Sequence, residues 1–331
     1  MIRFRSKEQD YALSEKDSLM QREQVYPTSV ARDPHVASAE PYHPKRGLVV
    51  WLKKHWLQVA MVAPLFLYIL FFMLVPVFQS IYLSFVLQGT STFTLDNYRD
   101  ILGRSQFKDA FFNTIGITLV GVTMEMVVGL AIALMLARTF RGRGLFRSIV
   151  LLPLGVPTLV AGAAMLYFVG FNGYLNEILL DLGLIDVPIY WQQSGIRGMF
   201  VIALADLWKT IPLVVLILLA GLEAIPGDVY EAAGIDGAGA WQKFVHHTIP
   251  LLMPSITMAL ILRAIDAFRI FDIAMVVAGQ AIPVMSSFVY FDYRDRNTNT
   301  ASAAAVLLLL MIVVFVLAYI FLVERRTEVD R

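Results

Sequence analysis

The sequence predicts an all-α polytopic membrane protein with six transmembrane helices. Three observations carry that expectation. Hydrophobic residues make up 58% of the 331 residues and charged residues only 16%, against about 45–50% and about 25% in an ordinary soluble domain. Several nearly uncharged runs reach the ~20 residues a helix needs to cross the hydrocarbon. Lysine and arginine are spread unevenly among the segments between those runs, as the positive-inside rule requires. The apolar excess excludes an ordinary soluble enzyme and a disordered chain. A net charge of +1 gives no general attraction to phosphate, so nucleic acid is not an expected partner; membrane lipid is. Zero cysteines exclude a disulfide framework, thiolate metal sites and cysteine nucleophiles.

Residues 1–56 read as a cytoplasmic tail and a basic juxtamembrane segment. The tail is polar, mixed in charge and interrupted by Pro27, Pro34, Pro41 and Pro44. It cannot bury enough apolar area to offset its ordering entropy and is expected to be largely disordered. Its start has no apolar core, so it is not a cleavable signal peptide. Lys45, Arg46, Lys53 and Lys54 form the basic band.

The membrane domain, 57–325, follows. Leu57–Ser80 is the first span, with Pro64 and Pro76 as kink points. Ile115–Ala137 holds one charge, Glu125. Ile149–Phe171 holds none. Met199–Leu219 holds Asp206 and Lys209, an i,i+3 pair. Ala301–Val323 holds none, and residues 326–331 are a short tail. The remaining span, Ile256–Val277, carries Arg263, Asp266, Arg269 and Asp272. Spanning helices tolerate such charges only where they face protein or water. A crossing is still needed there to reconcile the charges of the flanking loops.

Those four charges alternate in sign every three residues, so neighbours on one helix can pair in succession. Two readings stand: a self-neutralising structural ladder, or charges that partly face a solute pathway. Glu125 has no local partner and points to an interhelix contact or the pathway. Asn113 and Thr114 read as caps of the second span.

Orientation follows from the loops. Arg138, Arg141, Arg143 and Arg147 crowd the second loop, and Arg325, Arg326 and Arg331 follow the last span. The third loop, 172–198, sets only Arg197 against Glu177, Asp181 and Asp186. Both termini are therefore expected in the cytoplasm, although Arg99, Arg104 and Lys108 in the first loop run against this.

The segment of about 221–255 is then a cytoplasmic loop. Pro226 and Asp228 suit a helix start, and Tyr230-Glu231-Ala232-Ala233 continues it. Gly234, Gly237 and Gly239 should break it. A second helix should begin near Ala238, with Trp241, Phe244, Val245 and Thr248 on one face, and Pro250 and Pro254 should close it. Helix–glycine–helix in so short a loop suits either a docking element or a plain connection.

Glu231-Ala232-Ala233, three further residues and Gly237 resemble the EAA loop of bacterial ABC importer permeases. Proline is kept at Pro250, with Ile249 for the usual leucine and His247 for isoleucine. Tyr230 through Ala238, Trp241-Gln242-Lys243-Phe244, Asn97-Tyr98, Leu152-Pro153, Trp208-Lys209 and Asp266-Ala267-Phe268 resemble the carbohydrate-uptake branch of that family. The resemblance covers roughly 57–325 and implies the fold of the type I importer permeases in a bacterial inner membrane. It implies coupling to an ATPase through Tyr230, Glu231, Ala232, Ala233, Asp236 and Gly237. It also implies four kinds of partner: a second permease, two ABC ATPase subunits, an extracytoplasmic solute-binding protein and a sugar-like solute. Tyr167, Phe168 and Phe171 could then stack on a sugar, or serve as interfacial anchors. Disaccharides, polyols and phosphorylated glycerol remain open as solutes.

No P-loop, His-Glu-x-x-His or Gly-x-Ser-x-Gly motif occurs. None of the five histidines, His35, His43, His55, His246 and His247, lies in a span. No catalysis, metal or cofactor of its own is expected; ATP and Mg would be used by the ATPase partners. A self-contained channel or secondary transporter is the alternative, but no clear internal repeat supports it.

Overall fold

The computed structural model describes residues 48–193 and 195–329. The tail expected to be disordered lies almost wholly outside them. Contacts divide the chain into two units, Met1–Leu67 and Tyr68–Arg331. Among the described residues, six helical stretches are long and apolar enough to cross a membrane: Lys54–Ser84, Ser105–Ala137, Thr158–Asp181, Ile196–Glu223, Ala240–Phe268 and Thr298–Leu322.

Helix α1 (Leu48–Ile69), all but its last two residues in the first unit, bends at His55, whose φ of −116° and ψ of 20° leave the helical region. Pro64 is accommodated without a break. Trp56, Leu57, Met61, Val62, Leu65 and Phe66 are all exposed, a helix apolar all round as a spanning segment must be.

After the last two residues of α1, the second unit continues with a π turn, Leu70–Leu74, and α2 (Val75–Ser84). Pro76 falls in the first turn of α2, where the widened turn spares it a clash with the preceding backbone. A short antiparallel bridge, Val86 to Phe93, leads to α3 (Asp96–Gly103). Asn97 donates to the carbonyls of Ser84 and Val86 at 3.0 and 2.8 Å, and Asn299 donates to those of Leu83 and Val86 at 3.1 and 2.6 Å.

Helix α4 (Ser105–Ala137) has 33 residues and begins ten positions before the expected span. Asn113 and Thr114 therefore do not cap it. From inside the helix, Asn113 donates to the Pro283 carbonyl at 2.9 Å, and the Thr114 hydroxyl accepts the Met285 N–H at 2.8 Å.

The third span is not one helix. α5 (Arg143–Leu151) passes into a 3-10 turn (Leu152–Gly155), and α6 (Thr158–Val169) follows. Pro153 and Pro157 each lack an N–H and bar a continuous ladder. α7 (Tyr174–Asp181) then leads to α8 (Ile196–Glu223).

The loop helices are α9 (Gly227–Ile235) and α10 (Ala240–Lys243). A π turn, Phe244–Thr248, runs straight into α11 (Ile249–Phe268). The expected close at Pro250 and Pro254 does not occur, because the π turn absorbs the missing Pro250 donor. α11 stops at Phe268, and α12 (Asp272–Val277) starts after a three-residue break. α13 (Met285–Arg294) and α14 (Thr298–Val329) complete the chain.

The core of this unit is built on α4 against α8. A β-carbon at Gly121 would lie 3.7 Å from the Ala203 β-carbon, and one at Gly129 only 2.6 Å from Val214. Small residues thus let the two backbones approach, as membrane helix pairs require. Ala133, Leu136, Val214, Leu218, Leu252 and Ala259 pack one end; Ile117, Val201, Ile202 and Ile273 pack the other.

Candidate functional site

Two features concentrate the polar chemistry of the membrane domain. The first is an ion network between α4, α8 and α11. Arg263 donates from Nε to Glu125 Oε2 at 2.6 Å and from Nη2 to Oε1 at 2.8 Å. The same Nη2 donates to Asp206 Oδ2 at 2.8 Å. The Thr210 hydroxyl lies 2.9 Å from Glu125 Oε1 and 2.6 Å from the Asp206 carbonyl. The side chains of Arg263 and Glu125 are 2% and 0% exposed. A planar guanidinium facing a carboxylate through two bonds is the geometry that can offset the cost of burying both charges.

This replaces the expected ladder. Arg263 turns across to α4 and α8, and its contact with Asp266 is a longer 3.6 Å. Asp266 pairs with Arg269 at 2.9 Å, with both side chains exposed. The chain leaves the helix at Arg269 (φ −95°, ψ 12°), so Asp272 opens a different helix and completes no row. Its carboxylate sits in the first turn of α12, where it complements the helix dipole. Asp206 and Lys209 do not pair either: Lys209 Nζ bonds the carbonyls of Pro153 and Leu154 at 3.4 and 3.1 Å. Those carbonyls are available because the prolines break the third span.

The groups left on the open side of the network face a cavity of about 470 Å³. Asp206, Lys209, Thr210, Arg263, Asp266, Arg269 and Asp272 line it, with Leu154, Thr158, Leu213, Ile270, Phe271 and Ile273. Of the five charges singled out from the sequence as pathway or interhelix candidates, four meet here and Glu125 closes the wall behind them. Asp206 and Thr210 were missed as members of the site. An unpaired glutamate in one span and an arginine in another was the available signal.

The second feature is the segment that joins α8 to α11. Glu231 and Ala232 are exposed on α9, and Ala233 is buried at 3%. Tyr230 is held from two sides: its hydroxyl lies 3.2 Å from that of Thr248, and its carbonyl accepts Lys243 Nζ at 3.0 Å. Asp236 is the exposed C-terminal cap. Gly234 is not a breaker; it lies inside α9. Gly237 ends the helix at φ +80°. The Ala238 N–H bonds the Ala233 carbonyl at 2.9 Å and the Gly237 N–H bonds that of Gly234 at 3.1 Å, the paired bonds of a Schellman ending. Trp241 is 74% exposed while Thr248 is 5% exposed, so the expected single face does not form. The π turn rotates one set away from the other.

Elsewhere, Phe171 stacks on Tyr190 with ring centroids 4.2 Å apart, and Tyr167 is exposed. Asn176 organises the loop between them. It donates to the carbonyls of Gly170, Phe171 and Ile189 and accepts from Ile189 N–H and Trp191 Nε1.

Residues 125–329 match the family of binding-protein-dependent transport system inner membrane components. The trehalose/maltose transport system permease protein MalF of Thermococcus litoralis is 40% identical over 227 residues, 66% of this chain and 76% of that protein. The trehalose transport system permease protein SugA of Mycobacterium tuberculosis is 41% identical over 191 residues, 57% of this chain and 60% of that protein. A chain of the bacterial alginate ABC transporter, solved in complex with an alginate pentasaccharide-bound periplasmic protein, superposes with a TM-score of 0.75. It is 21% identical and covers 85% of this chain and 98% of its own length, which shows the same fold. This chain belongs to the family of binding-protein-dependent transport system inner membrane components, the membrane permeases of ABC importers.

Proposed function

We propose that this chain is one permease subunit of an importer for a neutral sugar or polyol. On this reading the charged cavity is its half of the solute pathway, and α9 is the element gripped by an ATPase. The observation that carries the reading is connectivity. α8 and α11 supply most of the cavity's charges, and they are the two helices that α9 joins. A displacement of α9 therefore acts directly on the cavity walls.

The chemistry of both ends supports it. Around the cavity, Asp206, Asp266 and Asp272 oppose Lys209, Arg263 and Arg269. Balanced charge gives no field that favours an anion, while carboxylates and cations offer bonds to many hydroxyls. Relatives named for trehalose and maltose point to the same class of solute. At the loop, Ile235 is 87% exposed and Glu231 offers a carboxylate to a partner arginine. Two ATPases using ATP and Mg, a second permease and an extracytoplasmic binding protein complete the assembly, and this subunit performs no catalysis. The Arg138–Arg147 segment, the 221–255 loop and both termini lie in the cytoplasm.

The test is co-expression with candidate ATPase subunits and reconstitution in vesicles. Glu231→Ala should leave insertion intact, weaken ATPase retention by about ten- to a hundredfold and lower uptake. Wild-type uptake and retention by that variant would overturn the assignment of α9.

A further inference from the structure

A second cavity, of about 210 Å³, lies at the end of the bundle away from α9. Gln106, Gln280, Ser287 and Asp295 give it polar edges, and Phe288 and Phe291 give it an aromatic wall. Gln106, Gln280 and Asp295 are exposed. Ser287 is occupied by the Val284 N–H and carbonyl at the start of α13. The two amides thus remain to meet a ligand, beside an Asp295 carboxylate whose ion pair with Arg294 is long, at 3.8 Å, and exposed.

A row of rings joins this cavity to the larger one. Phe291, in the wall of the small cavity, meets Tyr290 edge-on with centroids 5.4 Å apart. Tyr290 meets Phe271 at 5.3 Å, and Phe271 lines the large cavity beside Asp272. Tyr290, the middle ring, is 44% exposed. Arg294 lies over the Phe291 ring with its guanidinium carbon 5.0 Å from the centroid, which holds that ring in place.

We propose that the pocket of Gln106, Gln280 and Asp295 is an outer sugar subsite, and that Phe291, Tyr290 and Phe271 pass the sugar to the membrane cavity. This rests on the importer reading above. A pyranose has hydroxyls around its rim and C–H groups on its faces. The rim suits amide and carboxylate partners, and the C–H faces suit aromatic rings, whose negative faces attract polarised hydrogens. A simple ion offers no face to stack. A lipid chain would not use the amides. The alternation of polar edge and ring matches a neutral saccharide from the outer pocket inward to Asp272.

The experiment uses the full complex in vesicles, with trehalose and maltose as probes. Uptake is measured against the concentration of sugar-loaded binding protein. Tyr290→Ala and Tyr290→Leu should lower maximal uptake about two- to tenfold, with binding-protein half-saturation and stimulated ATP hydrolysis unchanged. Tyr290→Phe should keep most of the rate, because it keeps the ring. Gln280→Ala, an exposed substitution outside any helix, should lower maximal uptake in the same way. Leucine performing as well as phenylalanine would reduce the row to apolar packing and overturn the proposal. A shift in half-saturation alone would make this a docking surface for the binding protein and overturn it too. Wild-type uptake by all four variants, while Asp272→Asn impairs transport, would sink the outer subsite and spare the importer reading. Absence of sugar uptake by the unaltered complex would sink both.

Discussion

The Arg263 network makes a graded prediction, because one cation serves two acids. Removing Arg263 leaves Glu125 and Asp206 buried together without a counter-charge. Removing Glu125 leaves Arg263 with Asp206 at 2.8 Å and Asp266 at 3.6 Å. Removing Asp206 leaves the two-bond contact with Glu125, at 2.6 and 2.8 Å, intact. Breaking a buried pair at one partner costs about 3–5 kcal/mol; loss of a single bond to a charged group costs about 1.5–3 kcal/mol. The expected order of destabilisation is Arg263→Met, then Glu125→Ala, then Asp206→Asn. Arg263→Met belongs at or above the upper figure, and Asp206→Asn belongs near the lower. The triple variant Arg263→Met with Glu125→Gln and Asp206→Asn should recover much of the loss, since no buried charge is stranded. Thermal unfolding of the purified subunit in detergent, followed by helicity, ranks the four proteins. An Arg263→Met protein as stable as wild type would refute the reasoning. So would a triple variant whose loss equals the sum of its parts within about 0.5 kcal/mol, which is how independent sites behave.

Three further outcomes are expected. Gly237→Ala should cost about 1 kcal/mol or more through its φ of +80° alone, because a β-carbon there meets nothing within 4 Å. An additional loss of ATPase binding with Gly237→Asp, measured by co-purification, would place the partner's surface at that turn, whereas equal binding by both variants would place it elsewhere. Asn176→Ala removes three donated and two accepted bonds, so the 171–195 loop should gain protease sensitivity, by an opening about 1–3 kcal/mol easier; unchanged cleavage kinetics would count against its organising role. In this cysteine-free chain, Arg141→Cys and Asn172→Cys, both at exposed positions, should label from opposite sides of the membrane. Labelling of both from outside would reverse the orientation.

The spans were legible because length and hydropathy decide them: each expected segment overlaps one of the six long apolar stretches, and Ile115–Ala137, Met199–Leu219 and Ala301–Val323 each lie within a single α-helix. The two breaks within expected spans were missed for one cause. Hydropathy does not register backbone donors, so Ile149–Phe171 read as one run although Pro153 and Pro157 interrupt its ladder. The same blindness hid the stop after Phe268, where no proline or glycine marks the break at Arg269–Phe271. Glu125 and Arg263 were each singled out, yet their pairing was not seen, since 138 positions separate them and no local spacing reports such a contact. Asp206 was assigned to Lys209 by i,i+3 proximity. That rule compares neighbours on one helix surface; it is silent on a buried guanidinium from another helix, whose desolvated charge attracts a carboxylate far more strongly. Asn113 and Thr114 were misplaced because the polar first turns of α4 lower its hydropathy without ending the helix. The Gly237 ending was legible, as glycine after a helical run signals a left-handed residue. The π turn before Pro250 was not, because it leaves no compositional mark.

The break after Phe268 divides one charged sequence between two tasks. Arg263, on the helical side, is fixed to α4 and α8 by bonds to Glu125 and Asp206. Gly121 and Gly129 bring α4 and α8 into close contact as well, so α4, α8 and α11 form one tightly joined block. Asp266 lies in the last turn of α11, Arg269 in the break and Asp272 beyond it, with Asp266 and Arg269 exposed as a pair across the helix end. On the proposed reading, force on α9 enters this block through both α8 and the continuous α10–α11 helix. A block held by buried ion pairs transmits displacement without repacking, because breaking those pairs is costly. The groups that can change partners are then the ones at the end of α11 and past the break, where a solute hydroxyl competes only with an exposed ion pair worth little by itself. The buried half of the charge row supplies rigidity and the exposed half supplies an exchangeable surface. A single unbroken ladder would have tied both halves to one helix and left neither role separable.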